Sequence, residues 1–437
     1  MEEFYRNKTI FVTGSTGFLG SMLVEKLLRS FPDISKLYML ARMKGTMNLI
    51  ERSEEYFKDP VFERMIALNP NYYEKVSWIE GDLTMPRLNL SEDDMAIIKT
   101  VDIVIHLGAS IKMKNPLHEM IKNNLFGTAE LLKICLDNKN IKCFMYVSSA
   151  YSYARKSCSR IEEKIYEPIL KPETLLDISN ALTNGELDEI ENVLMQDWPN
   201  SYTFIKTAAE YHCDTFKDQM SIGIFRPGTI TSSYSEPYPV WVKSKAGILG
   251  AIILTVTKVL PSYYVDKKAM SHAVPVDMTA NALIASTYDV IQNKSKDTKI
   301  YNYTSNNNPI TFYDSFIIAT KNKGTSIITY NYYWNAIKMF TLLYLPYLFM
   351  DIFRYFTLQK PKYLRLYEKI SDFIEAILYF NNKSLIIDND NLENIWDTLS
   401  QHDKELVPFD LRVIDWIDYF NNVPYGIEKY YGIKMKI

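Results

Sequence analysis

One run of eight residues constrains this chain more than any other. Thr13-Gly14-Ser15-Thr16-Gly17-Phe18-Leu19-Gly20 follows the apolar stretch Ile10–Val12 and leads at once into Phe18–Ser30. That stretch carries Leu19, Met22, Leu23, Leu27 and Leu28 at helical spacing. Glycines at these intervals between a strand and a helix have separable uses. Gly14 takes the dihedrals of a tight turn, Gly17 lets backbone approach a pyrophosphate, and Gly20 lets the helix pack closely. The helix start then offers N–H groups and a positive dipole end to phosphate. The run as a whole, with Ser15, Thr16, Phe18 and Leu19, is therefore expected to cradle a dinucleotide.

The pattern that follows fits this reading. Leu37–Leu40, Val76–Ile79, Ile103–Ile105 and Phe144–Val147 read as buried strands, and Pro116–Asp137 between the last two has helical spacing. Ser221–Phe225 and Lys299–Tyr303 read as later strands of the same sheet. Strands alternating with helices predict a doubly wound parallel sheet. The stretch 155–198 breaks the alternation. It is acidic and without strand signal, so an insertion over the carboxyl ends of the strands, a lid or a solvated excursion, is expected there. After Thr325 the composition shifts to Tyr, Phe, Leu and Met, and Lys360-Pro361-Lys362 punctuates it. The expected division is 1–325 for a dinucleotide-binding domain, 326–358 for an apolar connector and 359–437 for a smaller, mainly helical domain.

With 437 residues, 47% of them hydrophobic, a large core is available. A net charge of -3 gives no reason to expect nucleic acid as partner. Four cysteines without C-x-x-C spacing exclude a disulfide scaffold and give no metal motif. The start, Met-Glu-Glu-Phe-Tyr-Arg, has no apolar secretory core, and Lys434-Met435-Lys436-Ile437 is not a peroxisomal ending.

Strand ends supply the remaining candidates. Arg42 follows the second strand where a carboxylate would suit a ribose 2′-hydroxyl. A guanidinium suits a 2′-phosphate, which favours NADPH over NADH, although Arg42 also reads as an ordinary surface arginine. Asp82 and Leu83 follow the third strand, where a carboxylate can meet the adenine amino group. Gly108 and Ala109 follow the fourth, leaving room for cofactor ribose, while His106 reads as a packed histidine. Tyr202 and Lys206 stand four apart, on one face of a helix beginning after Pro199-Asn200. An ammonium beside a phenol is expected to lower its pKa from about 10 and make a proton donor near neutral pH. Ser149, in Ser148-Ser149-Ala150-Tyr151 at the end of the fifth strand, can hold the same carbonyl oxygen.

Together these residues resemble the extended short-chain dehydrogenase/reductase superfamily, with its Rossmann domain, and more closely the alcohol-forming fatty acyl-CoA reductases. The marks are Thr13–Gly20 with Glu25-Lys26-Leu27-Leu28-Arg29, Pro199–Lys206, Phe225-Arg226-Pro227 and Val274–Met278. Asn281–Ala285, Asp388–Asn391 and Ile414–Phe420 extend the likeness over almost the whole chain. The resemblance implies Tyr202 and Lys206 as catalytic pair, Ser149 as the carbonyl-positioning hydroxyl, and Lys206 also on the nicotinamide ribose. It implies Pro227 and Thr229 beside the cofactor, although Gly228-Thr229 stand where Ser and an aliphatic residue are common. The implied reaction takes long-chain fatty acyl-CoA to fatty alcohol with NADPH, releasing CoA. A steroid or nucleotide-sugar reductase and a catalytically silent NADP-binding membrane protein are the rivals.

Met339–Met350 is apolar but spans only about 18 Å as a helix, short of a ~30 Å bilayer core. Pro346 is expected to break it, and an extension to Leu358 would bury Asp351 and Arg354. A monotopic or hairpin contact with a lipid surface is expected instead. Ala246–Thr257 reads as core, tunnel wall or membrane patch. The resemblance implies a membrane-associated enzyme of the endoplasmic reticulum or peroxisome with its site facing the cytosol.

Overall fold

In the computed structural model, residues 1–43, 45, 48–293, 295–321 and 328–432 are described. The expected boundary at 325/326 and the terminal residues Lys434–Ile437 lie outside the described residues. Seven β-branched and leucine-rich segments form one parallel sheet: β1 (Thr9–Thr13), β2 (Lys36–Ala41), β3 (Val76–Glu80), β4 (Ile103–His106), β5 (Cys143–Val147), β6 (Ile222–Pro227) and β7 (Lys299–Tyr303). Their spatial order is β7-β6-β5-β4-β1-β2-β3. All seven were expected from the sequence because strands buried on both faces read as continuous apolar runs.

The order reverses direction between β1 and β4, which pair from Ile10 opposite Ile103 to Thr13 opposite His106. Loops leaving these two strands part to opposite sides and open a crevice at their carboxyl ends. A hydrogen-bonded chain closes the crevice floor. The Thr13 hydroxyl lies 2.6 Å from His106 Nδ1 and accepts from the Gly108 amide at 3.0 Å, and His106 Nε2 lies 3.0 Å from the Thr128 hydroxyl. Burial lowers the His106 pKa to about 3, so the ring is neutral and structural. Helices α1 (Phe18–Ser30), α2 (Leu49–Phe57), α3 (Ser201–Asp214) and α4 (Val276–Asn293) belong to the same unit as the sheet.

The chain divides into two compact units whose segments alternate along the sequence. The first holds Met1–Tyr238, Val274–Thr304 and Ile387–Asp410; the second holds Pro239–Ala273, Ser305–Ile386 and Leu411–Ile437. These units interleave along the sequence, whereas the expected division 1–325, 326–358 and 359–437 runs in order. The physical reason is the edge of β7. Asn302 Nδ2 donates to the Asp388 carbonyl at 2.6 Å, and Asn391 Nδ2 donates to the Ile300 carbonyl at 2.8 Å, so residues 387–410 cover an edge that would otherwise be open. Polar side chains acting on backbone leave no trace in hydrophobic patterning.

The stretch 155–198 is more ordered than an excursion. It contains helices Pro172–Ala181 and Asn184–Met195, and Leu175, Leu187 and Met195 join the core of the first unit. Its helices pack on Leu117–Phe126 and on α3, so the stretch buttresses a helical layer rather than lying loose. Arg226, fully buried on β6, forms a bidentate pair with Glu210 of α3 at 2.6 and 2.9 Å. It also donates to the Glu162 and Lys164 carbonyls at 3.1 and 2.9 Å. A buried charge keeps such pairing because leaving it alone is costly.

In the second unit, Gly247–Val256 is core. Ile248, Leu249, Ala251 and Ile252 are buried, and a side chain at Gly250 would meet the Phe373 ring at 2.6 Å. The apolar connector is a continuous 25-residue helix, Tyr332–Phe356, long and apolar enough by length and composition to cross a membrane. Pro346 does not break it, contrary to expectation. A π-helical segment, Phe340–Tyr344, lies just before it, and such widened turns accommodate a residue that lacks an N–H. Asp351 faces its own unit, accepting from the backbone N–H groups of Lys362, Tyr363 and Leu364 at 2.8–3.0 Å.

Candidate active site

The glycine-spaced loop has the geometry its residues require. Gly14 sits at φ +71°, and a Cβ there would lie 2.7 Å from the Gly108 nitrogen, so β1's turn and β4's turn touch backbone to backbone. A Cβ on Gly20 would lie 2.2 Å from the Gly14 carbonyl oxygen, so the close approach it permits is to the loop itself. Gly17 begins α1 with no side-chain cap on the helix N-terminus. The buried Ser15 hydroxyl has no hydrogen-bond partner among the described residues, and Thr16 stands half-exposed at the mouth. Uncapped helix N–H groups beside an orphaned hydroxyl fit the diphosphate of a dinucleotide. Phe18 and Leu19 continue into the first turn of α1.

Beside the loop, Asp82 accepts from the Thr84 amide and hydroxyl at 2.9 Å and leaves Oδ2 3.9 Å from Arg42 Nη1. Leu83 packs against Gly108, whose Cβ would meet Leu83 Cδ1 at 2.5 Å; Ala109 follows, half-buried. Arg42 is 67% exposed. It has a neighbour that strand-end reasoning overlooked. Arg52 of α2 reaches back, donating to the Arg42 carbonyl and to the Thr16 hydroxyl at 3.4 Å. Burial and the charge of Arg42 both push the Arg52 pKa down, as expected for guanidinium groups that crowd one another. No spacing rule links residues 42 and 52; only the fold brings them together.

On the other side of the crevice, Tyr202 and Lys206 lie on α3 and both are buried. The Ser149 hydroxyl stands near the Tyr202 phenol, close enough to pull its pKa down, and accepts from the Tyr151 amide at 3.2 Å. Lys206 Nζ donates to the Val147 carbonyl at 2.9 Å and sits 4.6 Å over the Tyr146 ring. Contrary to expectation, the phenol is not acidified. Burial pushes Tyr202 up to about 12, with Ser149 pulling it back, while burial lowers Lys206 to about 8. The ammonium is directed at a backbone carbonyl, so the phenol keeps its proton. Next to Ser149, the buried Ser148 hydroxyl has no hydrogen-bond partner among the described residues. Pro227 ends β6, and the Thr229 hydroxyl lies 3.3 Å from the Tyr151 hydroxyl. The crevice thus brings the loop, Asp82, Leu83, Gly108 and Ala109 to one strand-end edge with Ser149, Tyr202 and Lys206.

A male sterility protein family model with an NAD-binding domain matches residues 12–283, and a second male sterility model matches 342–433. A Drosophila melanogaster fatty acyl-CoA reductase, wat, is 31% identical over 443 residues, covering 98% of this chain and 85% of its own. The chain belongs to the fatty acyl-CoA reductase family. Human fatty acyl-CoA reductase 1 is 29% identical with the same coverages. The protein is thus an oxidoreductase of the extended short-chain dehydrogenase/reductase class with a nicotinamide cofactor. The terminal reductase domain of the myxalamid pathway shares the fold, at TM-score 0.69 and 16% identity over 98% of this chain and 93% of that one. So does a Mycobacterium tuberculosis peptide-synthetase reductase domain, at 0.63 and 18% over 98% and 92%.

One further residue that shapes the candidate site's loops escaped the sequence. Asn124, buried in the π-helical stretch Ile121–Phe126, accepts from the Ser110 amide at 2.7 Å and donates to its carbonyl at 2.9 Å, pinning the loop after Ala109. A buried amide on an apolar helix face was the only signal available. Gly20→Ala is expected to distort the loop at a cost of about 1–3 kcal/mol. Nicotinamide binding should fall at least about tenfold while far-ultraviolet circular dichroism stays unchanged. Undiminished binding in a fluorescence titration would show that the loop yields to the methyl group.

Proposed function

We propose that this reductase converts long-chain fatty acyl-CoA to fatty alcohol with NADPH, releasing CoA, through an aldehyde that is reduced in a second round. The observation that supports this most is the meeting of three buried groups, Ser149 just past the end of β5 with Tyr202 and, one turn further along α3, Lys206. NADPH, when bound, supplies hydride to the carbonyl carbon. Tyr202, protonated at neutral pH, gives its phenolic proton to the carbonyl oxygen, and the Ser149 hydroxyl holds that oxygen in place. Lys206 carries positive charge below about pH 8 and stabilises the phenolate left behind. The thiohemiacetal then sheds CoA thiol, and the same residues serve the aldehyde. Burial raises the thiols of Cys135, Cys143 and Cys213, which supports direct reduction without an acyl-cysteine. Gly14, Ser15, Thr16, Gly17, Phe18, Leu19 and Gly20 hold the diphosphate; Asp82, Leu83, Gly108, Ala109, Pro227 and Thr229 line the rest.

The Arg42–Arg52 pair supports NADPH, since two adjacent guanidinium groups suit a 2′-phosphate dianion. The exposed apolar helix Tyr332–Phe356 supports association with a lipid surface, where the substrate itself partitions, on the cytosolic side of the endoplasmic reticulum or peroxisome.

Incubation with NADPH and palmitoyl-CoA, followed by lipid analysis, is expected to yield hexadecanol and free CoA. Absence of both alcohol and aldehyde overturns the reading. Tyr202→Phe should lower turnover by ~10²–10⁴ with NADPH affinity retained; more than a tenth of the activity remaining would contradict its role.

The profile of kcat/KM against pH reports the free enzyme. The Lys206 pKa is depressed from its ordinary 10.5, so its charge is complete well below about 8 and lost as pH rises through that value. An alkaline decline near 8 is expected, and Lys206→Arg should move any residual activity's decline upward. An unchanged limb in the variant would assign it to another group.

Arg42→Asp and Arg52→Ala should each weaken NADPH by roughly one to two decades, with little effect on NADH. An unaltered NADPH/NADH affinity ratio in both variants would mean that other residues read the phosphate.

A further inference from the structure

The long helix of the second unit is two-faced. Asn335, Met339, Leu343 and Asp351 are buried against their own unit at intervals of four and eight, and the helix packs along Tyr363–Asn381. The opposite side presents Leu342, Phe349, Phe353 and Phe356 to solvent, the last 78% exposed, in a strip at spacings of seven, four and three. A bilayer-crossing helix meets lipid on most of its circumference, whereas this one has a protein side holding an aspartate and a bare apolar side. That is the form of a helix lying in the plane of a membrane interface.

The strip leads to a basic corner. Residues 332–369 hold six basic side chains and two acidic ones, although the whole chain carries -3. One of the two acids, Asp351, is engaged by three backbone N–H groups; the other is Glu368. Lys362, Tyr363, Arg365, Leu366 and Lys369 line an open cleft of about 400 Å³ at the start of the second helix. Lys360 is exposed in the connecting turn, where Arg354 donates to its carbonyl at 2.9 Å. The cations therefore stand beside the apolar strip, as a headgroup layer stands beside acyl chains.

We infer that the Lys362–Arg365–Lys369 cleft binds the phosphate of anionic phospholipid headgroups while the Leu342–Phe356 strip enters the acyl boundary, so that membrane docking depends on lipid charge. This rests on the membrane association proposed above and names its lipid. The helix N-terminus contributes nothing directly, since Asp351 already occupies its first N–H groups; the side chains do the binding. Juxtaposed cations near an anionic surface contribute about fivefold in affinity each.

The test is flotation of the full chain with vesicles of phosphatidylcholine alone or with 30% phosphatidylserine, at low and high salt. Wild type is expected to float at least about tenfold better with the anionic vesicles, and to lose that advantage in high salt. Lys362→Gln with Arg365→Gln and Lys369→Gln should cost on the order of a hundredfold on anionic vesicles. Neutral-vesicle flotation and NADPH binding should stay the same, the latter reporting that the protein is folded. Equal flotation on both vesicle types sinks the headgroup site while leaving membrane association intact. Displacement by millimolar inorganic phosphate would also overturn it, since the cleft would then serve a free anion. Flotation on neither, with a dimer that Phe349→Ser and Phe353→Ser convert to monomer, would overturn both and show the strip to be a contact between two copies.

Discussion

Everything in the crevice depends on a backbone contact between two turns. Gly14, after β1, stands so close to Gly108, after β4, that a single methyl group would not fit. The Thr13 hydroxyl, bonded to the Gly108 amide and to His106, holds that approach in place. The distance between β1 and β4 ends sets where a diphosphate can lie relative to Ser149, because β5 is the next strand over. Tyr202 and Lys206 on α3 and the glycine-spaced loop that opens α1 share one frame because both are referred to this contact. A preorganised site gains most from such rigidity, since reacting groups displaced by an ångström lose orders of magnitude in rate.

The Tyr202 side of that frame is marked by burial rather than by a lowered phenol pKa. Tyr202 and Lys206 both favour their neutral forms more than they would in water. For a proton donor this is serviceable: a phenol that holds its proton until a carbonyl oxygen develops charge wastes none of it on solvent. Glu210, one turn beyond Lys206 on α3 and paired with Arg226 of β6, restores some of its charge by raising the lysine pKa. The same arginine anchors the beginning of the 155–198 stretch, so the helix bearing Tyr202 and the segment beside it are held by one ion pair.

The sheet was legible in the sequence because buried parallel strands announce themselves as apolar runs, and the glycine-spaced loop was legible because backbone geometry demands glycine at Gly14 and Gly20. Tyr202, Lys206 and Ser149 were legible through helical spacing and strand-end position together. What the sequence concealed was built from side chains acting on distant backbone. Arg52 reaches the Arg42 carbonyl, Asn124 clamps Ser110, and Asn302 and Asn391 tie a late segment to β7. None of these has a period or a spacing. Pro346 misled for a related reason: a proline's effect depends on the turn before it, and a π-helical turn absorbs what an α-helical one would not.

The alternation of the two units along the chain has a consequence for biosynthesis. β7 is complete at Tyr303, yet the residues that cover its edge, Asp388 and Asn391, lie on the order of a hundred positions later. At ribosomal rates of about 5–20 residues per second, that edge stays uncovered for roughly 5–20 s while the intervening residues emerge. Those residues include the aromatic-rich helix Tyr332–Phe356. A nascent chain thus displays an open strand edge and a greasy helix at the same time, the two features most prone to wrong pairing. Early capture of the helix, by a chaperone or by a membrane near the ribosome, would protect the half-built sheet as well as seat the finished enzyme.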